Sequence, residues 1–231
     1  GGARRAGRRP VPSRSEIEHI ALEMFSDQGF DHTTVDDVAH AAGIGRRTFF
    51  RYFASKNDIA WGAFDEQLVR MRAVLAAQPS DLPTLEGVRR AVLEFNHVEP
   101  DEQPWHRRRL RLILRTPALQ AHSTLRYASW REVVADYVAE RRGEDSSELV
   151  PQSVGHACLG VCIAAYERWL ADDGSELTFD VVSLNVGSVV DPALLPPQRP
   201  ASVVPTTTQL SASKRAPRAT VANWVLSPIS A

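Results

Sequence analysis

Apolar positions in the first third of the chain recur every three or four residues, the spacing of amphipathic helices rather than strands. Ile17, Ile20, Met24 and Phe25 make one stripe over about residues 14–28, with Ser13 and Glu16 placed as a capping box before it and Gly29 after it. Val35, Val38, Ala39 and Ala42 make a second, short stripe, opened by Thr34 with Asp37 and closed by Gly43, which can take the left-handed conformation that ends a helix. Ile44 fills the corner, Gly45 opens the next helix, and Phe49 and Phe53 face inward at i and i+4. A fourth stripe, Phe64, Leu68, Met71 and Leu75, belongs to a helix expected to start after Ser55, with Asp58 as capping partner, and to run to about Ala77. After Pro79 and Pro83 the pattern restarts, with helices expected at about 84–97, 103–115, 117–142 and 148–171. Pro104 and Pro117 fall in first turns, and Gly143 and Gly174 just past helix ends. No segment before residue 178 reads as a strand, so the fold class is all-α.

The second and third stripes form a helix-turn-helix, whose second helix is shaped to enter a major groove. From Ile44 to Lys56 the chain holds Arg46, Arg47, Arg51 and Lys56 and no acid. With Phe49 and Phe53 turned in, Arg46, Arg47, Thr48, Phe50, Arg51 and Tyr52 face out. Arginine bonds a guanine edge in bidentate fashion, and hydroxyls and lysine suit phosphate oxygens. A plain helical hairpin with a solvated basic face is the alternative; a fragment such as Ala41-Ala42-Gly43-Ile44 does not separate the two, whereas the whole run from Asp31 to Asp58 favours DNA reading.

The run Thr33-Thr34-Val35-x-Asp37-Val38-Ala39-x-x-Ala42-Gly43-Ile44-Gly45-x-x-Thr48-Phe49-Phe50-x-Tyr52-Phe53-x-Ser55-Lys56 closely resembles the DNA-binding domain of TetR-family repressors, as does Ala21-x-x-x-Phe25-x-x-x-Gly29-Phe30 before it. The resemblance is strong over 13–60 and looser to about residue 178. It implies phosphate contacts from Thr34, Thr48, Tyr52 and Lys56, and base or backbone contacts from Arg46, Arg47 and Arg51. Two positions of the same interface depart from the family. Phe50 stands where many members have tyrosine, which removes a phosphate hydrogen bond, and Gly45 where serine is common, which removes a side-chain cap.

Composition localises the DNA footprint. The 231 residues carry a formal net charge of -1, so the chain is no polycation, and 43% hydrophobic content suffices for one large core or two small ones. Arg4, Arg5, Arg8, Arg9 and Arg14 make the first residues basic; an arm that follows a groove and a solubilising tail are equally compatible with this. No run of roughly 20 continuous apolar residues suggests a membrane span, and no apolar signal core precedes the first helix, so a cytoplasmic chain is expected. Cys158 and Cys162 read as reduced, buried thiols, and no spacing suits a metal or calls for a cofactor. The expected organisation is a basic arm (1–12), the DNA-binding unit (13–60), a helical effector-binding and dimerisation domain (61–178) and an irregular or disordered tail (179–231). The tail holds seven of the fifteen prolines from residue 183 onward and a single acid, Asp191. A family member has a further interface helix there, and none is legible; an altered reading frame and a natural variant tail both account for this.

In the second domain, His106-Arg107-Arg108-Arg109-Leu110-Arg111-Leu112-Ile113-Leu114-Arg115 places cations on every side of one helix. Some must therefore lie near the interior, where arginine needs an anion. Glu94, Glu132 and Asp136 are candidate internal partners, and an anionic ligand is the other reading. That stretch, with Thr116-Pro117-Ala118-Leu119 and Arg126-Tyr127-x-x-Trp130, resembles the TetR-family subgroup associated with mycofactocin systems in actinobacteria. The resemblance implies an acyl-coenzyme A effector, for which Arg108, Arg109, Tyr127 and Trp130 are the candidate contacts. The expected function is a homodimeric repressor of a double-stranded operator, released by a small effector. A non-specific architectural DNA-binding protein and an acyl-coenzyme A-handling enzyme are the alternatives. The enzyme is disfavoured because His97, His106, His122 and His156 fall in no catalytic motif spacing, and no phosphate loop or serine elbow is present; no catalytic residue is assigned.

Overall fold

The computed structural model describes residues 12–172, and these are all-helical apart from their connections. In chain order the helices are α1 (Arg14–Gln28), α2 (Val35–Ala41), α3 (Arg46–Tyr52), α4 (Lys56–Trp61), α5 (Phe64–Ala76), α6 (Thr84–Phe95), α7 (Gln103–Arg115), α8 (Pro117–Arg142) and α9 (Leu149–Ala171). The basic arm (Pro12 apart), Gly174 and the expected tail lie outside the described residues.

Local chemistry sets the first elements. Both capping boxes form: the Ser13 and Thr34 hydroxyls accept from the backbone N–H of Glu16 and Asp37, whose carboxylates accept in return from the backbone of Ser13 and Thr34. Gly43, at φ 67, makes the turn between α2 and α3. Phe49 and Phe53 are buried with Phe25, Ile17 and Val38, which fixes α3 against α1 and α2.

One expectation is corrected. The helix expected to run unbroken from Ser55 to Ala77 is jointed at Gly62, which has φ 54 and ψ -130 and ends α4 before α5 begins. Glycine permits the joint's positive φ and the close approach of a side chain: a Cβ on Gly62 would lie 2.9 Å from Cζ of Arg109. The guanidinium of α7 is thus seated directly on the glycine backbone.

The helical bundle is built around the long pair α8 and α9, with α5, α6 and α7 packed against it, while α7 also packs on α1 and α4. A single continuous core runs from Ile17 in α1 to Ala165 in α9, so no apolar gap separates the DNA-binding helices from the bundle. Helix α9 differs from the sequence expectation in one respect: by length and mean hydropathy, 1.3, it is long and apolar enough to cross a membrane. Here its Val154, Cys158, Val161, Cys162 and Ala165 are buried in the core instead.

Candidate functional site

The basic face of α3 is open. Arg47, Thr48, Phe50 and Arg51 border one surface groove, and Phe50 is 44% exposed although it is a large apolar ring. Arg46 bends back: its Nη1 donates to Asp36 Oδ2 at 2.6 Å, and its guanidinium lies over the Phe50 ring. Both partners are more than half exposed, so water and salt weaken that pair and leave Arg46 available to a competing anion. Arg51 lies over the Tyr52 ring. Gly45 caps α3 with no side-chain bond.

Lys56 sits differently from the rest. Its Nζ donates to the carbonyls of Phe30 at 2.6 Å and Thr33 at 3.0 Å, and lies 4.2 Å from the Phe30 ring centroid. The ammonium thereby ties the start of α4 to the corner between α1 and α2. That corner also positions Thr34, whose hydroxyl is bonded to Asp37.

The second feature is a cavity of about 90 Å³ between α4, α5, α6, α7, α8 and α9. Trp61, Phe64, Phe95, Ile113, Leu114, Tyr127, Trp130 and Leu159 make its walls mainly apolar, and Gln67, Asn96, His106, Arg109 and Tyr166 add the polar groups. The Tyr166 hydroxyl donates to Asn96 Oδ1, and Asn96 Nδ2 donates to Val92 O at 2.6 Å, so these two are satisfied. Trp61 Nε1, His106 Nε2 and Arg109 Nε are buried without a hydrogen-bond partner among the described residues. Burial pushes the His106 imidazole down to about 3, with the Arg109 charge acting the same way. The two thiols of α9 are pushed up to about 12 by burial and stay protonated.

The arginine run of α7 finds other partners than those expected. Glu94, Glu132 and Asp136 are all exposed. Arg109 instead donates through Nη2 to Glu18 Oε2 of α1 at 2.9 Å. Arg108 lies 3.6 Å from Glu23 of α1 and over the Trp105 ring, outside the cavity. Arg107 donates to the carbonyl oxygens of Leu170 and Asp172 at the end of α9. The cause is geometric: α7 packs on α1, so its cations meet the acids of α1, which are remote in sequence. Of the four candidate effector contacts, the cavity therefore gathers Arg109, Tyr127 and Trp130 and leaves out Arg108.

Glu18 is the residue that sequence reasoning missed. It is buried between Ile17, Ala21 and Leu22, and an acid on an apolar helix face was the available signal. Burial raises its carboxyl above the usual range, against the pull of Arg109 and Arg14. A second tether joins the same two parts of the molecule: Arg126 of α8 donates to Asp58 of α4 at 3.1 Å and to Asp65 of α5 at 2.5 Å.

Comparison with known proteins agrees with this architecture. Residues 19–60 match the family described as bacterial regulatory proteins, tetR family, and residues 82–184 match the MftR C-terminal domain. The chain is 45% identical over 184 residues to a Mycobacterium tuberculosis protein provisionally named mycofactocin biosynthesis transcriptional regulator MftR, covering 77% of this chain and 93% of that one. It is 35% identical over 139 residues to the HTH-type transcriptional regulator TcmR of Streptomyces glaucescens, covering 58% and 62%. Among solved structures, Thermus thermophilus FadR in complex with lauroyl-CoA gives a TM-score of 0.51 at 18% identity, over 82% of this chain and 98% of that one. The fatty acid degradation regulator FadR of Bacillus halodurans gives 0.53 at 17% identity, over 77% and 100%. These two likenesses concern the fold. The families and relatives matched are transcriptional regulators, and the chain belongs to the TetR family, with a C-terminal domain of the MftR type.

Proposed function

We propose that this regulator is a cytoplasmic repressor that binds a pseudo-palindromic operator as a homodimer and is released by a small effector held in the bundle cavity. The reading rests on one arrangement: an open groove on α3 bordered by Arg47 and Arg51, and a mainly apolar cavity whose wall residue Arg109 is bonded to α1. Arg46, Arg47 and Arg51 supply base or backbone contacts, Thr34, Thr48 and Tyr52 phosphate contacts, and Gly45 and Phe50 shape the approach. Lys56 acts by holding the corner that carries Thr34. Residues 13–60 form the reading unit, and the bundle from residue 61 binds the effector and the second subunit. The exposed face of α9, with Ser153, Gly160 and Ala164, allows the close approach of a partner helix.

For the effector, an acyl-coenzyme A suits the apolar walls, and the fold neighbour from Thermus thermophilus was solved in complex with lauroyl-CoA. A cavity of about 90 Å³ sets a limit on this reading. An apolar cavity of about 150 Å³ takes one benzene molecule, so this one takes a body of about four carbon atoms, and a long acyl chain requires the walls to part.

The test is titration of the full chain against its own upstream DNA and random DNA at two salt concentrations, with and without short- and long-chain acyl-coenzyme A. Tight binding to the upstream DNA alone, lost on adding ligand, is the expected result. Equal affinity for both DNAs at each salt refutes operator recognition and favours architectural coating.

A further inference from the structure

The cavity and the ion pair share one side chain. Arg109 lines the cavity, leaves its buried Nε without an acceptor, and donates through Nη2 to Glu18 of α1 at 2.9 Å. Its guanidinium rests on Gly62, where a Cβ would stand 2.9 Å from Cζ. The Gly62 carbonyl accepts from Arg14 Nη2 at 2.9 Å, and Arg14 Nε holds the other oxygen of Glu18 at 3.0 Å. Residues of α1, the α4–α5 joint and α7 thus close a ring, three links polar and the Arg109–Gly62 link one of packing, with one member facing the cavity.

Two donors at that cavity lack acceptors. Trp61 Nε1 and Arg109 Nε are buried N–H groups with no acceptor, and His106 Nε2 is unpartnered as well; Asn96 Oδ1 is already taken by Tyr166, and Gln67 is the other amide in the wall. Buried donors without acceptors are costly, so the missing component is an oxygen acceptor on an apolar body. The cation at the wall selects an anionic one, because a carboxylate adds ion–ion attraction in a buried site to the hydrogen bond and matches the guanidinium fork.

We propose that Arg109 is a two-sided relay: the cavity takes a compact apolar carboxylate, and its oxygen competes with Glu18 for the guanidinium and so loosens α1 from α7. This rests on the reading of the chain as an effector-released regulator. The arriving charge also faces Glu18 across a shared partner, leaving Glu18 with Arg14 alone. Helix α1 packs on α2, which packs on α3, and its Arg14 lies over the Phe53 ring at the end of α3, so a loosened α1 reorients the reading helix. The ligand shifts this equilibrium only by its different affinity for the two arrangements.

The experiment follows tryptophan fluorescence, since Trp61 and Trp130 line the cavity, while the full chain is titrated with propionate and with the neutral isostere propionamide, without DNA. At least tenfold tighter binding of the acid is expected. Glu18→Gln, which removes the competing charge, is expected to bind propionate at least fivefold tighter than wild type and to leave the amide unchanged. Equal affinity for acid and amide, binding of neither, or a propionate affinity that Glu18→Gln does not change overturns the relay. The acid–amide comparison on wild type needs no variant, so the relay stays refutable even where Glu18→Gln fails to fold. Because DNA is absent, the outcome is separable from the proposed function. Acid preference in a chain with no preference for its upstream DNA refutes the repressor and leaves the cavity chemistry intact, whereas operator binding without acid preference does the reverse.

Discussion

Protonation of His106 offers a quantitative test of the cavity. Its imidazole is pushed down to about 3, whereas a histidine in an unfolded chain titrates near ~6.5. The folded state therefore holds the neutral ring while the unfolded state takes up a proton. Stability from this group is complete above pH 6.5 and is lost as pH falls toward 3. At pH 5 the unfolded chain gains RT ln(1 + 10^1.5) from that proton, about 2 kcal/mol relative to pH 7.5. The figure hardly changes for any folded value below about 4, because the folded ring is then neutral at pH 5. Urea unfolding of wild type and His106→Phe at pH 7.5 and 5.0 measures it; the ring Nε2 has no partner, so phenylalanine forfeits no bond there. Wild type should lose about 2 kcal/mol more than the variant between the two pH values. The comparison cancels the other titrating groups, among them Glu18, whose raised carboxyl acts in the opposite direction. Equal losses in the two proteins would refute the buried neutral imidazole.

Three further outcomes follow from the geometry. Gly62→Ala must hold a side chain at φ 54 and displace the Arg109 guanidinium; a cost of about 3 kcal/mol, or a fall in Tm of roughly 6–12 °C by calorimetry, is expected. Lys56→Met removes two charged hydrogen bonds to backbone carbonyls and should destabilise by about 2–3 kcal/mol in urea; unchanged stability with weakened binding to all DNA would show a phosphate contact instead. Arg47→Ala, on the exposed face of α3, should leave stability within about 0.5 kcal/mol and cost about 1–3 kcal/mol in operator affinity by fluorescence anisotropy, with random DNA less affected.

Short-range chemistry made the DNA-binding helices legible. Ser13 with Glu16, Thr34 with Asp37 and the turn at Gly43 are signals complete within four residues, and the structure reproduces each. The stripe of Phe64, Leu68, Met71 and Leu75 is buried as its spacing required. What escaped sequence reading depends on residues far apart. Gly62 reads as one more helical position until Arg109 is laid upon it. The counter-ion of Arg109 lies 91 residues away in α1, and periodicity says only that a cation faces inward, not which acid meets it. The cavity depends on how six helices, α4 to α9, pack together, which no local spacing specifies.

The Arg109–Glu18 bond also bears on how the protein can be recombined. Exchange of reading heads between regulators is a natural engineering route to new operator specificity, with α1 to α3 as the obvious cassette. Here the cassette contains the counter-ion of a buried cation in the recipient. A donor head lacking an acid at the Glu18 position would strand Arg109, at a cost of about 3–5 kcal/mol. A graft that begins at Asp31, keeps this chain's own α1 and replaces only α2 and α3 leaves the pair intact, so the transferable unit is shorter than the helix-turn-helix domain.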